Sequence, residues 1–253
     1  MSDIIHEKDW LRVKKTRHGV MAYNINDAFI GRSLDFYGEW CMGEFENLDY
    51  ANKVVVDVGA NIGTHTLEFA KKAKHVYSFE PQKQNYDMLV TNVTLNALTN
   101  VWHYREALSN EVGWAQVGKY DPSTVGNFGA CEINESGPAA QCCPLDTISD
   151  FMFPPDLIKI DVEGHEYEVL QGAKETIAKH RPVLYVECDR EDQKDRVIAL
   201  IESYGYEWQW DMPWLFNPAN FFAQSKNIFS GIWSEMLLCH PKEKEHVNNQ
   251  TKA

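Results

Sequence analysis

An apolar run that stops at an aspartate and then spends three positions on Gly59, Asn61 and Gly63 limits this chain most: VVVDVGANIGTHTLEFA, from Val54 to Ala70. Val54 to Val58 reads as a strand buried on both faces, the kind found in parallel sheets. Ile62, Thr66, Phe69 and Ala73 then recur at helical spacing. A strand that turns at once into a helix carries unpaired backbone N–H groups to the carboxyl edge of the sheet, where open α/β sheets take ligands. The glycines admit close approach and unusual dihedrals there.

The rest of the chain repeats the unit. Strands are expected at Val54 to Val58, His75 to Phe79, Val101 to Arg105, Leu157 to Asp161, Val183 to Glu187, Tyr206 to Trp210 and Ser234 to His240. Helices are expected at Ile62 to Lys72, Gln82 to Leu98, Glu166 to Lys179 and Asp192 to Tyr204. This alternation predicts an α/β fold built from strand-helix units around a buried, mostly parallel sheet. Residues 1 to 50 precede the first unit and read as an N-terminal cap segment, residues 51 to 240 as the ligand-binding domain, and residues 241 to 253 as a disordered tail. Gly113 to Asp150 is rich in Gly, Pro, Ser and Asn, and so is expected to be functional or to carry small strands of its own.

Charge and cysteine content exclude several roles. The chain has 24 Lys and Arg against 37 Asp and Glu, a formal charge of -13, which repels polyanions and argues against a nucleic-acid partner. No apolar run approaches a membrane span and the N-terminus lacks signal-peptide order, so a soluble cytoplasmic protein is expected. Cys41, Cys131, Cys142, Cys143, Cys188 and Cys239 show no C-x-x-C spacing and are expected to be reduced and mostly buried.

The ligand chemistry follows from which groups surround the turn. Glu80 ends the second strand 23 positions after Asp57, close to the ~20-residue offset at which an acid meets ribose hydroxyls. Pro81 holds Glu80 extended and opens the next helix. The glycine spacing is G-x-x-x-G, neither the dinucleotide G-x-G-x-x-G nor the P-loop with its lysine. That spacing also opposes a nicotinamide dehydrogenase. An acid at position 57 facing the loop suits a ligand with ammonium or sulfonium charge, as S-adenosylmethionine has.

With these residues in view, DVGANIGTHTLEFA, SFEP, EALSN, NFGA, LIKIDVEGHEYEVLQGA and RPVLYVE together resemble the FkbM family of S-adenosylmethionine-dependent methyltransferases, from about Gly38 to His240. The resemblance implies a class I methyltransferase fold, Rossmann-like, with a seven-stranded sheet, helices on both faces and an antiparallel last strand. It also implies methyl transfer to a hydroxyl oxygen on a small-molecule or glycan acceptor. By the same resemblance Gly59, Asn61 and Gly63 wrap the methionine portion of S-adenosylmethionine and Asp57 supports the loop. Glu80 accepts from the ribose, and Ala107, Leu108 and Ser109 border the adenine.

Asp161 and Glu163 fall at the carboxyl end of the fourth strand, where alternation puts them on one face, and both are candidates for function. His165, in the first turn of the following helix, is a second candidate base beside Glu163. His65 and His103 read as structural. Asp161, Glu187 and Asp189 would together resemble the divalent-metal site of catechol-type methyltransferases; the favoured reading needs no metal and expects activity to survive chelation. In YEWQWDMPWLFNPANFF, Trp214 and Phe216 are candidates for an acceptor pocket, as are Asn127 and Phe128 of NFGA. The Asn/Asp-Pro-Pro-aromatic signature of nucleic-acid amino methyltransferases is absent after the fourth strand. A non-catalytic S-adenosylmethionine-binding protein is the remaining alternative.

Overall fold

The computed structural model describes residues 4–130, 132–133, 136–148 and 153–242. The chain opens with an antiparallel sheet of β1 (Ile4–Lys8), β2 (Leu11–Thr16) and β3 (Gly19–Asn24), followed by α1 (Ile30–Phe36). The strand-helix units then follow as β4 (Val54–Val58), α2 (Thr64–Ala70), β5 (His75–Phe79), α3 (Lys83–Leu95) and β6 (Val101–Tyr104). Short strands β7 (Glu106–Leu108), β8 (Gly113–Gln116) and β9 (Ala139–Cys143) form a separate small sheet in the Gly-rich region. The chain returns through β10 (Leu157–Ile160), α4 (Glu166–Gly172), α5 (Lys174–His180), β11 (Val183–Glu187), α6 (Lys194–Ser203), β12 (Tyr206–Asp211) and β13 (Met236–Pro241).

The central sheet has seven strands in the order β12-β13-β11-β10-β4-β5-β6. Strands β10, β4, β5, β6 and β11 pair in parallel, while β13 runs antiparallel to both its neighbours. The expected class I arrangement, antiparallel last strand included, is therefore the observed one. The chain order also reverses beside β4: β5 and β6 lie on one side of it, β10 and β11 on the other. Ligands sit at such a switch point, beyond the carboxyl ends of the strands.

Side chains of β4 alternate between two cores, as a doubly covered strand requires. Val54, Val56 and Val58 pack with Leu170 of α4, Ile177 of α5 and Ile201 of α6, while Val55 joins Phe69 of α2 and Tyr185 of β11. The N-terminal sheet docks on α3 through Met21, Ala22 and Tyr23, which share a core with Met88, Leu89 and Val93. Asn92 fixes that contact: it accepts from Ala22 N at 2.6 Å and donates to Ala22 O at 3.0 Å and Ile62 O at 2.7 Å.

Several boundaries differ from expectation for identifiable reasons. The helix expected from Ile62 begins at Thr64, because Asn61 and Gly63 are left-handed, with φ of +50° and +91°. The helix expected over Glu166 to Lys179 is two helices. They part at Gly172, where a Cβ would come within 1.9 Å of the Ser109 carbonyl oxygen. The strand expected to reach Arg105 stops at Tyr104, that expected to reach Asp161 stops at Ile160, and that expected from Ser234 begins at Met236. Cys41, Cys142, Cys188 and Cys239 are buried free thiols and Cys143 is partly buried. Cys131 lies outside the described residues, as does all but the start of the expected tail, from 243 to 253. Among the described residues no helix is long and apolar enough to cross a membrane.

Candidate active site

The turn after β4 is tied down before any ligand is considered. Gly59 N and Ala60 N both donate to Phe79 O at the end of β5, at 3.0 and 2.9 Å. Glu80 closes the arrangement, accepting from Asn61 N at 2.9 Å through one carboxylate oxygen and from Gln82 N at 2.8 Å through the other. Burial pushes the Glu80 carboxyl up to about 7 against the pull of those N–H groups. Gly59, at φ +78°, is the tightest position: a Cβ there would lie 1.8 Å from Asp161 O.

Asp57 does not face the loop as the charge argument from sequence supposed. It is fully buried, accepts from Thr66 Oγ1 at 2.6 Å and pairs with Lys159 Nζ at 3.3 Å. Lys159, in the middle of β10, also meets Asp161 at 3.2 Å and donates to Gly59 O at 3.2 Å. Surrounding carboxylates raise its pKa against the effect of burial. One cation thus joins the ends of β4 and β10, so Asp57 acts on the turn through Lys159.

A cavity of about 210 Å³ opens above these strand ends. Gly59, Asn61, Glu80, Pro81, Ala107, Leu108, Asn127, Asp161 and Glu163 are among the residues that line it. Asp161 and Glu163 share the cavity through a turn, since the strand has already ended and Glu163 is left-handed at φ +55°. Burial and Asp161 push the Glu163 carboxyl up to about 7, while Arg190, donating to it at 3.0 Å, pulls the other way. Gly63 and Phe128 are not in the wall. Gly63 caps α2, and Phe128 packs its ring on Tyr120 at 4.1 Å.

His165 is not brought to this cavity. Its Nε2 sits 3.0 Å from Ser109 Oγ, and both residues line a second, polar cavity of about 560 Å³ behind the Glu163 turn, with Gln193 and Arg196. Trp214 is 55% exposed and reaches the main cavity only through Trp233, 5.2 Å away between ring centres; Phe216 packs on Tyr37 instead.

Sequence reasoning missed part of the wall. Glu44 and His65 line it with Glu44 Oε2 and His65 Nε2 3.0 Å apart, and the buried Glu44 carboxyl is held down to about 2, with His65 and Lys159 outweighing burial. Neither the 3-10 turn that carries Glu44 (Met42–Phe45) nor its distance from His65 is visible in spacing. Lys159 had a signal, a lone charge inside the apolar run LIKI. Asp161, Glu163 and Glu187 offer carboxylate oxygens within 4.8 Å of one another, a different trio from Asp161, Glu187 and Asp189. Arg190 and Lys159 already supply positive charge to two of its members.

The cavity's walls carry the carboxyl groups Glu44, Glu80, Glu106, Asp161, Glu163, Glu187, Asp189 and Glu235 beside Lys159. Burial pushes Glu80, Glu163 and Glu187 toward the neutral form while Glu44 is held ionised, an oxygen-rich surround that fits a sulfonium-bearing ligand. Residues 57–208 match the methyltransferase FkbM domain family. The hexuronic acid methyltransferase AglP of Haloferax volcanii is 34% identical, over 59% of this chain and 62% of its own length. The methyltransferase sdnD of Sordaria araneosa is 27% identical, over 62% of this chain and 74% of its own. The crystal structure of an FkbM methyltransferase from Methylobacillus flagellatus superposes with a TM-score of 0.53 at 18% identity, covering 83% of this chain and 51% of that one. The chain therefore spans under two thirds of the archaeal relative and about half of that crystal structure. The family match covers more than half of the chain, which belongs to the FkbM methyltransferases and has S-adenosylmethionine as its cofactor.

Proposed function

We propose that this chain transfers the methyl group of S-adenosylmethionine to a hydroxyl oxygen of a sugar-like or glycan acceptor. The observation that carries the reading is the common cavity: the Gly59–Asn61 turn and Glu80 share it with Asp161 and Glu163. The relative named as a hexuronic acid methyltransferase supports a sugar-like acceptor. In this reading Gly59 and Asn61 wrap the methionine portion and Gly63 starts α2 behind them. Glu80 accepts from the ribose, and Pro81, Ala107 and Leu108 border the adenine. Residues 1 to 50 cap residues 51 to 240.

The bound cofactor supplies an electrophilic methyl. Asp161 and Glu163 would orient the acceptor hydroxyl, and Glu163 would take its proton as the oxygen bonds the methyl carbon and the carbon–sulfur bond breaks, its electron pair staying on sulfur in the leaving S-adenosylhomocysteine; much of the rate comes from holding the partners in line. Asn127 and the Trp214–Trp233 pair, of which Trp233 lines the cavity, are assigned to the acceptor, while Phe128 packs on Tyr120 and Phe216 on Tyr37. His165 and Ser109, facing the second cavity, are given no part in transfer.

Calorimetry with S-adenosylhomocysteine and transfer of label from methyl-labelled cofactor to a panel of glycosides test this reading together. Glu80→Ala is expected to weaken binding by ~1 to 3 kcal/mol, the scale of a lost charged hydrogen bond. Unchanged affinity in the folded variant removes the ribose assignment. Binding with no transfer to any hydroxyl favours a non-catalytic cofactor-binding protein.

A further inference from the structure

The first turn of α3 holds a buried polar atom with no hydrogen-bond partner among the described residues. Asn85 is 2% exposed and is part of the cofactor cavity's wall. Its backbone N–H donates to Gln82 Oε1 at 3.0 Å, and its side-chain Nδ2 donates to Phe128 O at 3.0 Å. A backbone carbonyl only accepts, so the nitrogen end of the amide must face Phe128, and Oδ1 is thereby fixed. Oδ1 is enclosed and accepts no hydrogen bond among the described residues. Buried acceptors are rarely left this way, because desolvation is not repaid.

The cavity wall around it asks for a particular complement. Glu80 presents a carboxylate whose two oxygens already take N–H groups from the backbone. Asn127 Oδ1 faces its own loop, accepting from Gly129 N at 3.2 Å. Each Glu80 oxygen keeps a further lone pair, so a ligand part that carries O–H or N–H groups fits beside Glu80 and Asn85 Oδ1.

We propose that Asn85 Oδ1 accepts a hydrogen bond from the nucleoside part of the cofactor, a ribose hydroxyl or the adenine amine, and so selects for that donor. This rests on the assignment of the cavity to S-adenosylmethionine. The other end of the same amide holds Phe128 O, so one side chain links nucleoside recognition to the position of the loop carrying Asn127 and Gly129.

The test is a calorimetric cycle on the full chain with S-adenosylhomocysteine, its 2′-deoxy and 3′-deoxy forms, and S-inosylhomocysteine, which lacks the amine. The parent is expected to bind at least one analogue roughly 5- to 100-fold more weakly than S-adenosylhomocysteine, the range of one unsatisfied buried group. Asn85→Ala is expected to bind S-adenosylhomocysteine weaker by a similar factor and to be indifferent to one of the deletions that weaken the parent; the analogue that shows this identifies the donor, while deletions sensed through Glu80 weaken both proteins alike. Asn85→Ser repeats the series should the alanine variant not fold. Equal binding of all four ligands by the parent, or an equal loss for all four in the variants, overturns the proposal, the second outcome marking Asn85 as a purely structural support of the loop. A parent that binds none of the four refutes the cofactor assignment itself, which separates the two failures.

Discussion

Glu163 stands in a left-handed backbone conformation that a glutamate adopts at a cost of ~1 to 3 kcal/mol, and Gly164 beside it is left-handed too. The turn aims the carboxylate into the cavity while Arg190 holds it at 3.0 Å. Burial and Asp161 together leave it with a pKa of about 7. Its base form is the ionised one, so it gains as pH rises through that value and is lost as pH falls below it. We expect kcat of the parent to climb between pH 6 and 8, and Glu163→Gln to lower kcat by ~100- to 10,000-fold and to remove that limb, with cofactor affinity nearly unchanged. A pH-rate series on both proteins checks this; equal rates across the range leave proximity as the source of catalysis.

At the scale of elements, the break between α4 and α5 shows how the small sheet reaches the site. Gly172 lets α4 pass directly over the Ser109 carbonyl at the end of β7, and β7 carries Ala107 and Leu108 into the cavity wall. A methyl group there has no free space, and the obstacle is backbone. Gly172→Ala is therefore expected to destabilise the fold by roughly 1 to 3 kcal/mol, against the usual gain of alanine in a helix. Denaturant unfolding measures it; a neutral or stabilising result means that α4 and β7 shift apart freely. Asn92 satisfies backbone groups of both β3 and the turn before α2, so it joins the N-terminal sheet to that turn.

For the whole molecule, the net charge of -13 sets the long-range field, and the ionised carboxylates of the cavity wall, Glu44 among them, add to it. An anionic acceptor approaches against this field, while a neutral one does not. We expect neutral glycosides to be methylated with higher kcat/KM than matching uronates at low salt, with the ratio narrowing as salt screens the long-range part. Competition between a glycoside and its uronate at two ionic strengths measures this. A preference for the uronate that persists at low salt would require a positive group at the mouth that outweighs the wall.

The sequence by itself determined the order of the strand-helix units from β4 onward, the mostly parallel sheet and the glycine-rich turn after its first strand. Each is written in local signals: apolar runs of strand length, helical spacing, and Gly59, Asn61 and Gly63 where left-handed dihedrals are required. The strand ends at Glu80 and Asp161 were legible for the same reason, because open α/β sheets take ligands at that edge. Only the tertiary structure decided which groups those positions meet. Lys159 takes Asp57 out of the cavity, the turn at Glu163 sends His165 to the far side with Ser109, and Glu44 arrives from a segment before the first parallel strand to face His65. Asn85 gains meaning only once Phe128, 43 positions later, fixes its amide. Spacing along a chain encodes direction within one element; a hydrogen bond or ion pair between elements depends on how the elements pack, which no local signal records.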